Sequence, residues 1–179
     1  MTQQKRLVDH IIVHCSATPE GEDFGAADID KWHRARGWLG NGYHFVLRLD
    51  GTIESKERGH RCRPLEKPGA HVGDCGPGWN RRSIGICLIG GVDADMKAKN
   101  TYSQEQLESL YWLINDIGIQ PLVEVSPEVE VMGHRDLIDK TGASPKACPS
   151  FDVQKWLDER DSEELEFEGL APFNSNFKQ

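Results

Sequence analysis

Three residues in this 179-residue sequence combine metal-ligating chemistry with a place where an apolar run gives way to a loop. His14 closes the run in IIVHCSATPE, and His134 stands in VMGHRDL just past a β-leaning stretch. Cys148 lies in SPKACPSFD, where Pro149 drives it into an extended conformation that presents its side chain outward from the turn. Two imidazoles and one thiolate suit zinc, and three protein ligands leave a fourth position open for water. A structural zinc would want a fourth protein ligand, usually from a close pair, and none of the three is paired. Each residue alone also has an ordinary reading. A lone strand-end histidine is more often a hydrogen-bonded residue than a ligand, and a lone cysteine is more often a small buried hydrophobe. Periodicity does not bring the three together in space.

The elements that would have to position them follow from the pattern. Leu7 to Cys15 alternates as a strand, with Val8, His10, Ile12 and His14 on one face and Ile11, Val13 and Cys15 on the other. Residues 28–36 place Ile29, Trp32 and His33 on one helical face, with Gly37 as the stop. GYHFVLRLDGTIES predicts a β-hairpin turning at Asp50 and Gly51. On that pattern Tyr43 shares a strand face with Phe45 and Leu47 and would be a core aromatic, while His44 points the other way. Residues 56–82, rich in Gly, Pro, Cys and charge, predict a long surface loop, and loops of that length in a compact domain are usually functional. The run 83–91 (SIGICLIGG) has the look of a central buried strand. Ser103 and Gln106 form a capping box ahead of a helix with Leu107, Leu110, Tyr111, Ile114 and Ile117 at helical spacing. Residues 128–132 lean to β, and Ser150 caps a short last helix with Val153, Trp156 and Leu157. This order predicts one α/β domain over 1–157, a mixed central β-sheet flanked by helices, and then an acidic flexible tail over 158–179.

Bulk properties narrow the function classes. With 37% hydrophobic and 28% charged residues, the chain has the composition of a soluble globular protein. It has no apolar run long enough to span a bilayer, and its N-terminus leads straight into a strand rather than a secretory signal. The net charge of −8 is uneven: residues 158–168 carry seven acids and one arginine, and the rest of the tail adds only Lys178, which leaves −3 on residues 1–157. That part has no basic stripe, so nucleic acid is not an expected partner. Five cysteines without a CxxC pair form no disulfide framework and fit a reducing compartment. Cys15 and Cys87 are expected to be buried thiols, whereas Cys62 and Cys75, in the 56–82 loop, are open between a solvent-facing role and a pairing. His33 and His44 are expected to pack, and His10 and His60 to lie on the surface. Asp136 is either a surface acid or a partner orienting an imidazole.

Six ordered blocks carry a resemblance: VHCSAT, WHRARGW, GYHFVLRLDGTIE, GAHVGDCGPGWNRRSIGICLIGG, GHRDL and PKACPSFD. Over residues 8–157 they closely resemble the N-acetylmuramoyl-L-alanine amidases of phage lysozyme type, whose superfamily includes the peptidoglycan recognition proteins. The resemblance implies that His14, His134 and Cys148 hold one zinc per chain, with Tyr43 and Lys146 beside it as catalytic residues. On pattern alone Lys146 would be a solvated loop lysine. The resemblance also implies that His71 faces the substrate and that Asn80 lines the groove. It further implies a monomeric phage endolysin that hydrolyses the amide between N-acetylmuramic acid and L-alanine of peptidoglycan and so lyses the host. Such an enzyme would be made in the host cytoplasm, without a signal peptide, and would reach the periplasm after release. Two other readings accompany it: a non-catalytic peptidoglycan-binding domain, against which Cys148 weighs, and a regulator of phage RNA polymerase, with the lead MTQQKR as its surface. The stretch between His134 and Cys148 is several residues longer than in the small phage lysozymes and is expected to bulge outward as a loop.

Overall fold

A computed structural model of the chain describes residues 5–117 and 122–168. Most of the lead MTQQKR and the segment 169–179 lie outside the described residues. In chain order the elements are β1 (Arg6–Cys15), β2 (Thr18–Pro19), α1 (Ala26–Ala35), β3 (Phe45–Leu47), β4 (Ile53–Ser55), α2 (Trp79–Arg82), β5 (Ser83–Leu88), β6 (Gly91–Val92), α3 (Gln104–Ile117), β7 (Val123–Gly133), α4 (His134–Thr141) and α5 (Val153–Glu168). Five strands form one sheet in the order β4-β3-β5-β1-β7, and β2 pairs with β6 apart from it. Only β3 and β4, the arms of the expected hairpin, are antiparallel. The other neighbours in the sheet are parallel, so it is mixed, as the pattern predicts.

The apolar runs read from the sequence are the central strands. β1 lies between β5 and β7, and its residues from His10 to Cys15 are all buried. A strand covered on both faces tolerates apolar residues at successive positions, which is why 83–88 reads as a continuous run. One cluster joins Val8, Ile11 and Val13 of β1 to Ile84, Ile86 and Leu88 of β5 and to Leu110 and Leu113 of α3. The capping box of α3 forms as expected: Gln106 N–H donates to Ser103 Oγ, and Ser103 N–H to Gln106 Oε1, each at 3.1 Å. A second cluster packs Ala26 and Ile29 of α1 against Val46, Cys87 and Ile89. A third joins Ile12 of β1 to Val72, Cys75, Leu137 and Ile138.

Several expectations are corrected. The stretch after His134 is no outward loop over its first seven residues, which continue α4, with Leu137 and Ile138 buried in the third cluster. Its start is closed by Asp136, whose Oδ2 accepts from Gly133 N–H at 2.8 Å, and Gly142, at φ +73°, ends it. Asp136 is therefore a helix cap and does not orient an imidazole. The last helix does not stop near residue 157 but runs to Glu168, tied to α3 by the Tyr111 hydroxyl donating to Asp161 at 2.7 Å. β7 likewise extends on both sides of the expected 128–132. Cys62 and Cys75 are buried, and all five cysteines are free thiols. His10 is buried, against Asp9 at 2.6 Å and the ring of Trp79 at 5.0 Å. Tyr43 precedes β3 and leaves the face of Phe45 and Leu47: it packs in the second cluster, while they lie in the first. The alternation breaks because the backbone before β3 is irregular, with Tyr43 N–H donating to Asn41 Oδ1 and Gly42 N–H to His33 Nδ1, both at 3.0 Å.

Candidate metal centre

Parallel pairing brings the first two residues together. Val13 of β1 is in register with Gly133 of β7 and the two strands run parallel; β7 ends there, and β1 runs two residues further, to Cys15. The residues that follow this pair are His14, still paired in the sheet with Cys87 of β5, and His134, the first residue of α4, and their ring centroids lie 4.7 Å apart. Sites in parallel sheets characteristically lie at the carboxyl ends of the strands.

Backbone hydrogen bonds bring in the third residue. Arg135 N–H donates to the Cys148 carbonyl at 2.7 Å, and the Tyr102 hydroxyl donates to the Pro149 carbonyl at 2.6 Å. The Cys148 thiol does not face outward. Its Sγ accepts from Cys15 N–H at 3.3 Å and lies 3.8 Å from Nδ1 of His14. One ligand atom from each of His14, His134 and Cys148 lies within 4.8 Å of the others.

The hydrogen-bond network fixes the form of His14. The Ser83 hydroxyl donates its one proton to the Trp79 carbonyl at 2.7 Å, so it accepts from Nε2–H of His71 at 3.3 Å. Burial holds the His71 pKa well below its ordinary value, so its ring is neutral and its Nδ1 is an acceptor. His14 Nε2–H then donates to His71 Nδ1 at 2.9 Å. The lone pair of His14 is left on Nδ1, the nitrogen nearest Cys148. Burial likewise holds His14 neutral. A neutral imidazole with its far N–H anchored is the form in which histidine binds a metal. Two such nitrogens and a thiolate fit zinc, with a fourth position left open.

The structure places His71 and Asn80 on the far side of His14 from Cys148 in the hydrogen-bond chain. His71 is buried, and both its ring nitrogens are engaged, Nδ1 by His14 and Nε2 by Ser83. Asn80 spends its amide oxygen on the backbone N–H groups of His71 at 2.9 Å and Val72 at 3.1 Å, clamping the loop that carries the histidine. The expected catalytic pair flanks the cluster. Tyr43 has its ring 5.0 Å from that of His14, and among the described residues its hydroxyl has no protein partner. Burial raises its pKa well above the ordinary value, so the hydroxyl keeps its proton. The Lys146 side chain is half exposed at the rim.

Asp74 is the residue that sequence reasoning missed. Its Oδ1 lies 3.1 Å from Nε2 of His134, and its Oδ2 accepts from Lys146 Nζ at 2.5 Å. Burial raises the Asp74 pKa, but the Lys146 hydrogen bond and the His134 imidazole outweigh it, and the carboxylate stays ionised. The one sequence signal was its place in a long loop dense in Gly and Cys, and that does not single it out.

Comparison with known proteins agrees with this architecture. Residues 3–151 match the family model described as N-acetylmuramoyl-L-alanine amidase. The endolysin of Enterobacteria phage K11 is 35% identical over 154 residues, covering 86% of this chain and 88% of its own. Among solved structures, an endolysin N-acetylmuramoyl-L-alanine amidase from Clostridium intestinale superposes with a TM-score of 0.60 at 25% identity, over 86% of this chain and 82% of its own. The fold is shared with Drosophila peptidoglycan recognition protein LB, with a TM-score of 0.60 at 22% identity over 95% of this chain and 86% of that one. The chain belongs to the N-acetylmuramoyl-L-alanine amidase family.

Proposed function

We propose that this chain is a zinc-dependent endolysin that hydrolyses the amide between N-acetylmuramic acid and L-alanine in peptidoglycan. The observation that carries the zinc dependence is the anchored, neutral His14, whose free Nδ1 lies beside Cys148 in a cluster with His134. Those three residues would hold the ion.

An amide is a poor electrophile and water a poor nucleophile, so the site has to improve both. Bound there, zinc would supply Lewis-acid polarisation of the carbonyl and a lowered pKa for water. The protein's own groups do the rest. Tyr43, protonated at neutral pH, offers a hydroxyl proton beside the cluster, and it would hydrogen-bond the tetrahedral intermediate and help the departing alanine amine. The ammonium of Lys146 lies at the rim, where its charge would stabilise the developing oxyanion. To do so it exchanges its partner Asp74 for substrate. His71 and Asn80 act behind the site, one holding His14 and the other holding the loop. The family points to synthesis in the host cytoplasm and action on the wall after release.

The test is digestion of purified peptidoglycan with and without a chelator. The expected result is metal-dependent release of stem peptides with a free N-terminal L-alanine. New reducing sugar ends would make the protein a glycosidase, and undiminished activity after full metal removal would end the zinc mechanism.

A further inference from the structure

His134 faces two groups of donor atoms. One is His14 with Cys148 and the other Asp74 with Cys75, and each trio with His134 has its ligand atoms within 4.8 Å of one another. Asp74 does not join the first trio. Both its oxygens already have partners, Oδ1 in Nε2 of His134 at 3.1 Å and Oδ2 in Nζ of Lys146 at 2.5 Å. It reaches them from a single turn of 3-10 helix, Gly73–Cys75. That turn is not a free loop tip: Val72 and Cys75 are buried in one cluster with Leu137 and Ile138 of α4. The core that seats α4, and hence His134, also seats the carboxylate against it. Asp136, the acid nearest in sequence, is spent on Gly133 N–H.

We propose that Asp74 is a positioning residue of the metal centre, fixing the ring of His134 through Nε2 and leaving Nδ1 for the ion. A carboxylate on the far nitrogen of a ligating imidazole sets the ring's tautomer and orientation and makes the ligand more basic. Its second oxygen keeps the Lys146 ammonium at the edge of the same site. Both imidazoles would then be anchored from behind, His14 by His71 and His134 by Asp74. The proposal rests on the zinc reading above.

The experiment is metal binding, read apart from catalysis, on the full chain. Zinc affinity is measured by competition with a chromogenic chelator, and coordination by the absorption bands of the cobalt(II) form. Asp74→Ala is expected to keep one metal per chain and, compared metal-free, a wild-type unfolding curve. Its zinc affinity should fall by about 10- to 100-fold, and the cobalt bands should shift while keeping four-coordinate intensity. Lys146→Met, which leaves the carboxylate on His134, is expected to hold zinc within about twofold of wild type. Unchanged affinity and spectrum in Asp74→Ala would overturn the proposal. So would a changed coordination number, which would make Asp74 a direct ligand, or an equal loss in Lys146→Met, which would assign the effect to the lysine pair. Wild-type protein that takes up neither zinc nor cobalt would remove the zinc reading and this proposal together, and that is read before any variant is made.

Discussion

The imidazole of His71 stands behind that of His14, Nδ1 to Nε2 at 2.9 Å and the two rings perpendicular. The contact is the middle of a chain of donors that ends on the Trp79 carbonyl, and β5 makes room for it. A Cβ on Gly85 would lie 2.7 Å from Cγ of His71, so glycine is what lets the ring lie against the sheet. A residue 57 positions along the chain thus decides which nitrogen of His14 is free.

Breaking that contact should weaken the metal centre without touching a ligand. His71→Leu keeps an apolar filling but removes the acceptor for His14 Nε2–H. Zinc affinity is expected to drop by about 10- to 100-fold, with the fold retained. Gly85→Ala, which forces the ring aside, is expected to act in the same direction. Chelator competition and circular dichroism check both.

Removing a ligand should remove the metal. Wild-type protein is expected to carry one zinc per chain, and His14→Ala and Cys148→Ser to carry none and to clear no cell walls. The wild-type melting temperature should rise with added zinc, because an ion bound only by the folded state stabilises it, and the variants should not respond. Elemental analysis is decisive: full zinc in either variant refutes the ligand set.

Tyr43→Phe and Lys146→Ala separate chemistry from binding. Neither residue is a proposed ligand, so both variants are expected to keep zinc and stability. kcat should fall by roughly tenfold to a thousandfold, the span for losing a proton-handling or oxyanion-stabilising group. Steady-state kinetics on purified peptidoglycan measure this. Tyr→Phe barely changes buried area, so full turnover by that variant would return Tyr43 to a packing role.

Stability should fall on the acid side, and His44 gives the window. Its Nδ1 accepts from Gly85 N–H and its Nε2–H donates to the Lys67 carbonyl, each at 3.0 Å. Burial, reinforced by the nearby Arg6 and Arg63 charges, lowers its pKa from 6.5 to about 3. Between those values the unfolded chain binds a proton that the folded chain refuses. Unfolding free energy therefore drops as pH falls through that range, by up to about 1.4 kcal/mol per pH unit from this residue. Urea unfolding at pH 7 and pH 5 should show the drop, and His44→Gln should show less of it. Equal pH dependence in the two proteins would exclude His44 as a source.

Much of the fold was legible because its cause is local. The strand over residues 7–15, the apolar run 83–91 and the capping box at Ser103 and Gln106 each act within a few residues, and each became the expected element; Val8 changes face, joining Ile11 and Val13, because the register of β1 against β7 shifts between Val8 and His10. α4 was hidden because its apolar residues, Leu137 and Ile138, form too short a stripe to stand out. What makes the helix worth forming is a cluster supplied by β1 and the 56–82 loop.

The site divides in the same way. The sequence by itself singled out His14, His134 and Cys148 as candidate donors, by residue type and by the family resemblance, and put the first two at strand ends, because chemistry and local pattern are properties of residues and their near neighbours. Only the tertiary structure decided how the set is assembled. The register of Val13 with Gly133 sets the next residues, His14 and His134, side by side, Cys15 N–H turns the Cys148 sulfur inward, and His71 and Asp74 arrive behind the imidazoles from a loop with no periodicity. These are contacts between residues 57 to 133 positions apart, and their free energy exists only once the sheet and the clusters around it have closed.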